Sequence, residues 1–233
     1  MEPHCIAILP AGGTGNRFGS EMPKLYTVVQ GRPVLAHSIE ALLTDSRVEK
    51  VYVALSPEYL SFLDWATWQG RVVPLTDCVG STRAKTVSLV LRRLYSTHQT
   101  SDWVLVHDAV RPCLSLSSLQ RLLDAVWADR VGGLLAIPVA DTLKHSDGTG
   151  RVQATVDRNQ LWAAQTPQMF PLGLLTEALE KNPEATDEAS AMEALGHSPL
   201  LVQGEKTNLK VTYPDDLVLV ASILEALSRE ETT

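Results

Sequence analysis

Short apolar runs, separated by stretches with helical periodicity, constrain this chain more than any other feature. "CIAIL" (5–9), "VYVAL" (51–55), "RVVPL" (71–75), "WVLVH" (103–107) and "GLLAIPV" (133–139) carry almost no polar residue. Strands that are apolar on both sides need cover on both faces. Between them, Leu35, Ile39 and Leu42 mark one helical face, and Val87, Val90, Leu91 and Leu94 a second. Leu116, Leu119, Leu123 and Val126 mark a third. Strand alternating with helix predicts an α/β fold, a Rossmann-like three-layer sandwich around a mostly parallel sheet.

Residues 140–160 break this rhythm. Asp147-Gly148 is a turn signal, and Val152, Ala154 and Val156 then alternate with Gln153, Thr155 and Asp157. The pattern predicts a projecting β-hairpin with too few apolar residues for a core of its own. Such an arm either embraces a second subunit or packs as an edge hairpin on its own domain. Further on, Thr186 is read as the N-cap of a helix over "DEASAMEAL" that Gly196 ends. "PLLVQG" (199–204) reads as a strand. Thr212 and Asp215 fit a capping box for a last helix, with Leu217, Val220, Leu224 and Leu227 inward. Residues 1–233 thus read as one domain carrying an arm at about 140–160.

A net charge of -7 argues against a broad nucleic-acid surface or an anionic-membrane surface. The sequence has no apolar run long enough to span a membrane and no signal-peptide pattern at its start. Cys5, Cys78 and Cys113 are widely spaced, odd in number and without metal-ligand spacing, as expected of reduced thiols. The expectation is a cytoplasmic protein that binds neither nucleic acid nor membrane.

The first apolar run leads into "LPAGGTGNRFGSEMPKLY" (9–26). Bare glycine backbone can cradle an anion, and Arg17 and Lys24 add positive charge. The other reading is a surface turn with two solvated cations. Neither a Walker A loop nor the dinucleotide G-x-G-x-x-G pattern fits, since Phe18 stands where the third glycine belongs. "HDAVRP" (107–112) follows another strand. There Asp108 could hold Mg²⁺ or a ribose hydroxyl and Arg111 a phosphate, or the two could form an ion pair bracing a turn. His107 reads as a hydrogen-bonded core residue.

The glycine string resembles the signature of nucleotidyltransferases that act on sugar and polyol phosphates. More narrowly, the chain is similar to the 2-C-methyl-D-erythritol 4-phosphate cytidylyltransferases of the non-mevalonate isoprenoid pathway. "VLVHDAVRPC" (104–113), "IPVADTLK" (137–144), "VDRNQLWAAQTPQMF" (156–170), "TDEASAMEALG" (186–196) and "NLKVTYPDDL" (208–217) resemble that family's motifs in order. The resemblance implies transfer of a cytidylyl group from CTP to a polyol phosphate, with Mg²⁺ or another divalent cation as cofactor. It assigns catalytic roles to Arg17, Lys24 and Lys210. Ala11, Gly12, Gly13, Thr14, Gly15, Gly80, Thr86 and Asp108 would bind the nucleotide. Arg111, Thr142, Arg158, Thr166 and Thr186 would bind the polyol phosphate. It also resolves the arm in favour of a homodimer, with Thr142 and Arg158 reaching a neighbouring subunit's site.

Departures from the family pattern are Gly12, often alanine there, and Val79, commonly glycine. Ser81 stands for an acidic residue, Thr86 for serine and Leu25 for glutamine. Two rivals share much of the pattern: a ribitol-5-phosphate cytidylyltransferase, and a nucleotide-binding protein without catalysis.

Overall fold

The computed structural model describes residues 4–13 and 23–230. In chain order the elements begin with β1 (Cys5–Pro10), β2 (Val28–Val29), β3 (Arg32–Pro33), α1 (Val34–Leu43) and β4 (Val48–Ala54). Next come β5 (Val72–Leu75), α2 (Arg83–Leu94), β6 (Trp103–Val106), α3 (Leu116–Val126) and β7 (Gly133–Pro138). The hairpin β8 (Leu143–Ser146) and β9 (Val152–Val156) leads to β10 (Trp162–Pro171), α4 (Leu172–Lys181) and α5 (Glu188–Ala194). β11 (Leu200–Gln203) and α6 (Asp216–Glu230) complete the fold.

Seven strands form one sheet in the order β11-β7-β10-β6-β1-β4-β5. All run parallel except β10, which is antiparallel to both of its neighbours. Side chains alternate across β1: Cys5, Ala7 and Leu9 enter one apolar cluster, Ile6 and Ile8 the other. Helices α1, α3 and α6 pack on the first face and α2, α4 and α5 on the second. This is the three-layer α/β arrangement read from the sequence.

Several local readings need correction. Asp187, not Thr186, caps α5: its carboxylate accepts from the Ser190 amide at 2.9 Å, and Ser190 Oγ accepts in return from the Asp187 amide at 3.2 Å. Threonine and aspartate are both cap formers, so the sequence left the register one residue loose. The Thr212–Asp215 capping box does not form. Asp216 instead accepts from the amides of Thr212 and Tyr213 at 2.7 and 2.8 Å. Leu116 stands exposed at the start of α3, and Leu122 takes its place in the buried stripe.

The hairpin β8–β9 forms a separate two-stranded sheet and joins neither edge of the main one. Every residue in both of its strands is exposed. Packing as an edge hairpin on its own domain is therefore not what the fold adopts.

Candidate active site

β1 and β6 run side by side, with Ile8 opposite Val106, and the chain turns away after each. Beyond their carboxyl ends lies a cleft of about 530 Å³, where open parallel sheets place their ligands. Gly12 and Gly13 after β1, Gly80 and Thr86 at the entry to α2, Asp108 after β6, and Lys24 and Lys210 all line it. Gly80 must be bare, because a β-carbon there would lie 2.9 Å from the Lys85 carbonyl carbon. Its amide donates to Thr86 Oγ1 at 3.0 Å, and that hydroxyl donates to the Thr82 carbonyl at 3.0 Å. The hydroxyl expected at the nucleotide thus braces the loop that lines the cleft. Ala11 is buried, and its amide donates to the Ala54 carbonyl at 2.7 Å.

The two described cations assigned to catalysis come together through one segment. Lys24 Nζ donates to the Val211 carbonyl at 2.8 Å, and Lys210, one residue earlier, puts its Nζ 2.9 Å from Asp108 Oδ2. Asn208 holds the segment in place, its side-chain amide donating to the Thr166 carbonyl at 2.8 Å. Arg111 Nη1 donates to the Asn208 carbonyl at 2.7 Å.

Asp108 is buried among three cations: Lys210, Arg83 at 2.9 Å and Arg111 at 3.4 Å. Burial alone would raise its carboxyl, but Arg83, Lys210 and Arg111 hold it well below the usual carboxylate range. The Asp108–Arg111 ion pair read from sequence is present, as one contact of this larger cluster.

His107 is fully buried and neutral. Burial lowers its pKa to about 4. Its Nε2 donates to the Arg111 carbonyl at 3.0 Å, which leaves Nδ1 to accept from the Thr166 hydroxyl at 2.9 Å. That hydroxyl in turn accepts from the Asp108 amide at 2.9 Å. The chain of bonds fixes the turn that presents Asp108, and it gives Thr166 a bracing role beside its place in a second cleft.

This smaller cleft, of about 230 Å³, is also lined by Arg111, Thr166 and Thr186, and shares Arg83, Asp108 and Lys210 with the first. Three residues assigned to the polyol phosphate therefore sit beside those assigned to the nucleotide. Thr142 and Arg158 lie exposed on and beside the arm and line neither cleft. Thr14, Gly15 and Arg17 fall outside the described residues.

Sequence reasoning missed Arg83 and Glu188. Arg83 makes paired bonds to the fully buried Glu188 carboxylate at 2.6 and 3.1 Å while its Nε reaches Asp108. Burial pushes the Glu188 carboxyl above its ordinary value against the pull of Arg83, while Arg83 is raised by Glu188 and Asp108 against its own burial. Paired bonds at these distances mark an ionised pair. Glu188 lay within the quoted 186–196 motif but Arg83 within none, and 105 positions separate them.

No group of three His, Cys, Asp or Glu residues able to hold a metal occurs among the described residues. Among the described residues that line the larger cleft, Asp108 is the one carboxylate. Magnesium is commonly held by one or two carboxylates together with substrate phosphates. Both Asp108 oxygens already meet cations, Oδ1 Arg83 and Oδ2 Lys210 and Arg111, so it would share a metal with a bound phosphate only in place of Lys210.

Comparison with known proteins agrees with this geometry. The profile of the family described as 2-C-methyl-D-erythritol 4-phosphate cytidylyltransferase matches residues 5–226. The protein of that name from Dechloromonas aromatica is 51% identical over 96% of this chain and 99% of its own. The one from an Azoarcus species is 50% identical over 96% and 95%. A crystal structure of 4-diphosphocytidyl-2C-methyl-D-erythritol synthase superposes with a TM-score of 0.85 at 39% identity, covering 96% of this chain and 99% of that one. The Thermus thermophilus 2-C-methyl-D-erythritol 4-phosphate cytidylyltransferase gives 0.76 at 32%, covering 97% and 100%. With the glycine segment, Asp108 and Lys210 meeting at one cleft and the match running nearly end to end, the chain belongs to the 2-C-methyl-D-erythritol 4-phosphate cytidylyltransferase family.

Proposed function

We propose that the chain transfers the cytidylyl group of CTP to 2-C-methyl-D-erythritol 4-phosphate, giving 4-diphosphocytidyl-2-C-methyl-D-erythritol and pyrophosphate. The observation that carries this reading is the pair of adjoining clefts with Arg83, Asp108 and Lys210 common to both. The larger takes the nucleotide and the smaller the polyol phosphate, so the new bond forms where they meet.

A phosphate oxygen of the polyol phosphate attacks the α-phosphorus. The bond from that phosphorus to the bridging oxygen breaks, and the electron pair leaves on pyrophosphate. The attacking phosphate is already ionised at neutral pH, so no side chain need remove a proton. Both reactants are anions, and the protein's task is to offset their repulsion and hold them in line. Lys24 and Lys210 supply positive charge at the α-phosphate, and Arg17 adds a planar fork of donors. Asp108 would hold Mg²⁺ against the phosphates, where the ion neutralises charge on the leaving group.

Two copies complete the site. The exposed hairpin carries Thr142 and Arg158 to a neighbouring copy's smaller cleft, and its lack of a partner in its own sheet supports this. Soluble anionic substrates and free buried thiols suit the cytoplasm.

The test is pyrophosphate release from CTP and Mg²⁺ with each polyol phosphate offered separately. Release with 2-C-methyl-D-erythritol 4-phosphate and little with ribitol 5-phosphate is expected. The reverse preference would reassign the substrate, and CTP binding without turnover of either would remove catalysis.

A further inference from the structure

Two departures from the family pattern, Gly12 for alanine and Val79 for glycine, meet in space. A β-carbon built on Gly12 would lie 2.4 Å from Val79 Cγ1, 2.9 Å from Cγ2 and 3.2 Å from Cβ. Gly12 is not among the glycines with positive φ. Its bare Cα therefore answers a need for space and not for an unusual backbone conformation. Valine cannot easily turn aside, because its branched β-carbon restricts χ1. The isopropyl group thus occupies the volume that an alanine methyl at position 12 would fill.

The contact joins two separate walls of the cleft. Gly12 lines it from the segment after β1, and Val79 directly precedes Gly80, which lines it from the entry to α2. We propose that Val79 is a positioning residue for the nucleotide: packed on the bare Cα of Gly12, it sets the spacing between these two backbone segments. Position 12 and position 79 then form one unit, in which the isopropyl group of one fills the space left by the bare Cα of the other. This proposal rests on the reading of the larger cleft as the CTP site.

The test measures KM for CTP, KM for the polyol phosphate, CTP affinity by calorimetry and Tm. The set is wild type, Gly12→Ala, Val79→Gly, Gly12→Ala/Val79→Ala and Gly12→Ala/Val79→Gly. Gly12→Ala is expected to raise KM for CTP about tenfold or more through a small displacement of the loop. Adding Val79→Gly removes all three clashing atoms and should recover most of that loss. Adding Val79→Ala leaves the 3.2 Å contact and should recover less. Val79→Gly alone should weaken CTP about threefold while sparing the polyol phosphate, which keeps the test open if Gly12→Ala does not fold. Effects that simply multiply in the double variants would overturn the proposal. So would coupling seen in Tm but absent from CTP affinity, or an unchanged KM for CTP in Val79→Gly. Wild-type protein that neither binds nor turns over CTP would defeat the underlying reading of the cleft instead.

Discussion

Lys210 must exchange one anion for another to act on a phosphate. Its Nζ faces Asp108, and its side chain is 48% exposed, so it can swing toward a ligand in the cleft. Asp108 would still keep Arg83 and Arg111. Lys210→Ala should therefore lower kcat by about 10²-fold or more, as loss of one preorganised charge does, with little change in Tm. Lys24→Ala should behave alike in steady-state kinetics, and a kcat equal to wild type would remove either lysine from its role. Glu188 differs in kind. Its removal leaves the Arg83 charge with Asp108 alone, and Glu188→Ala should cost about 3 kcal/mol in urea unfolding. A loss under about 1 kcal/mol would show that the pair is not a structural anchor. The lysines and Asp108 were legible in the sequence because each sits in a recognisable string. Glu188 was not, since a glutamate in a helix's first turn ordinarily reads as a solvated dipole partner. Only tertiary packing sets it against Arg83.

The same division holds for elements. The apolar strands β1, β4, β5, β6 and β7 announce themselves, as do α1 and α2. β10 does not, because Gln165, Thr166 and Gln168 interrupt its apolar run although all three are buried. Their partners lie far along the chain: Gln165 donates to the Glu205 carbonyl and Gln168 to the Asp187 carboxylate, each at 2.8 Å. The turn after β6 makes a pH prediction. Folded His107 has a pKa of about 4 against an ordinary 6.5. Below 6.5 the unfolded chain takes up a proton that the folded chain refuses until about pH 4. This contribution is complete above pH 6.5 and falls by up to about 3 kcal/mol as the pH drops to 4. Urea midpoints of wild type should decline across that window more steeply than those of His107→Gln, which has no proton to gain. Parallel slopes would contradict the assignment of a neutral buried imidazole.

At the scale of the whole molecule, the proposed function sets the arm of one copy against the site of another. The hairpin pattern was plain in the sequence, but alternation alone could not say what the arm packs against. Both strands are exposed along their length, and under the proposed function a second copy covers them. Arg158→Ala should raise KM for the polyol phosphate well beyond any change in KM for CTP. Mixing Arg158→Ala with Lys24→Ala subunits should restore up to about a quarter of wild-type sites, because half of the random dimers hold one intact pairing. No recovery after subunit exchange would place Arg158 in its own chain's site.

Catalysis as proposed needs one cleft to gather two phosphates between Lys24 and Lys210, and a crystal structure with CTP and Mg²⁺ examines that directly. The triphosphate is expected beside Gly12 and Gly13, with Lys210 drawn from Asp108 toward the α-phosphate and Asp108 left free to hold the metal. A nucleotide bound elsewhere, with Lys24 still on the Val211 carbonyl and Lys210 still on Asp108, would contradict it.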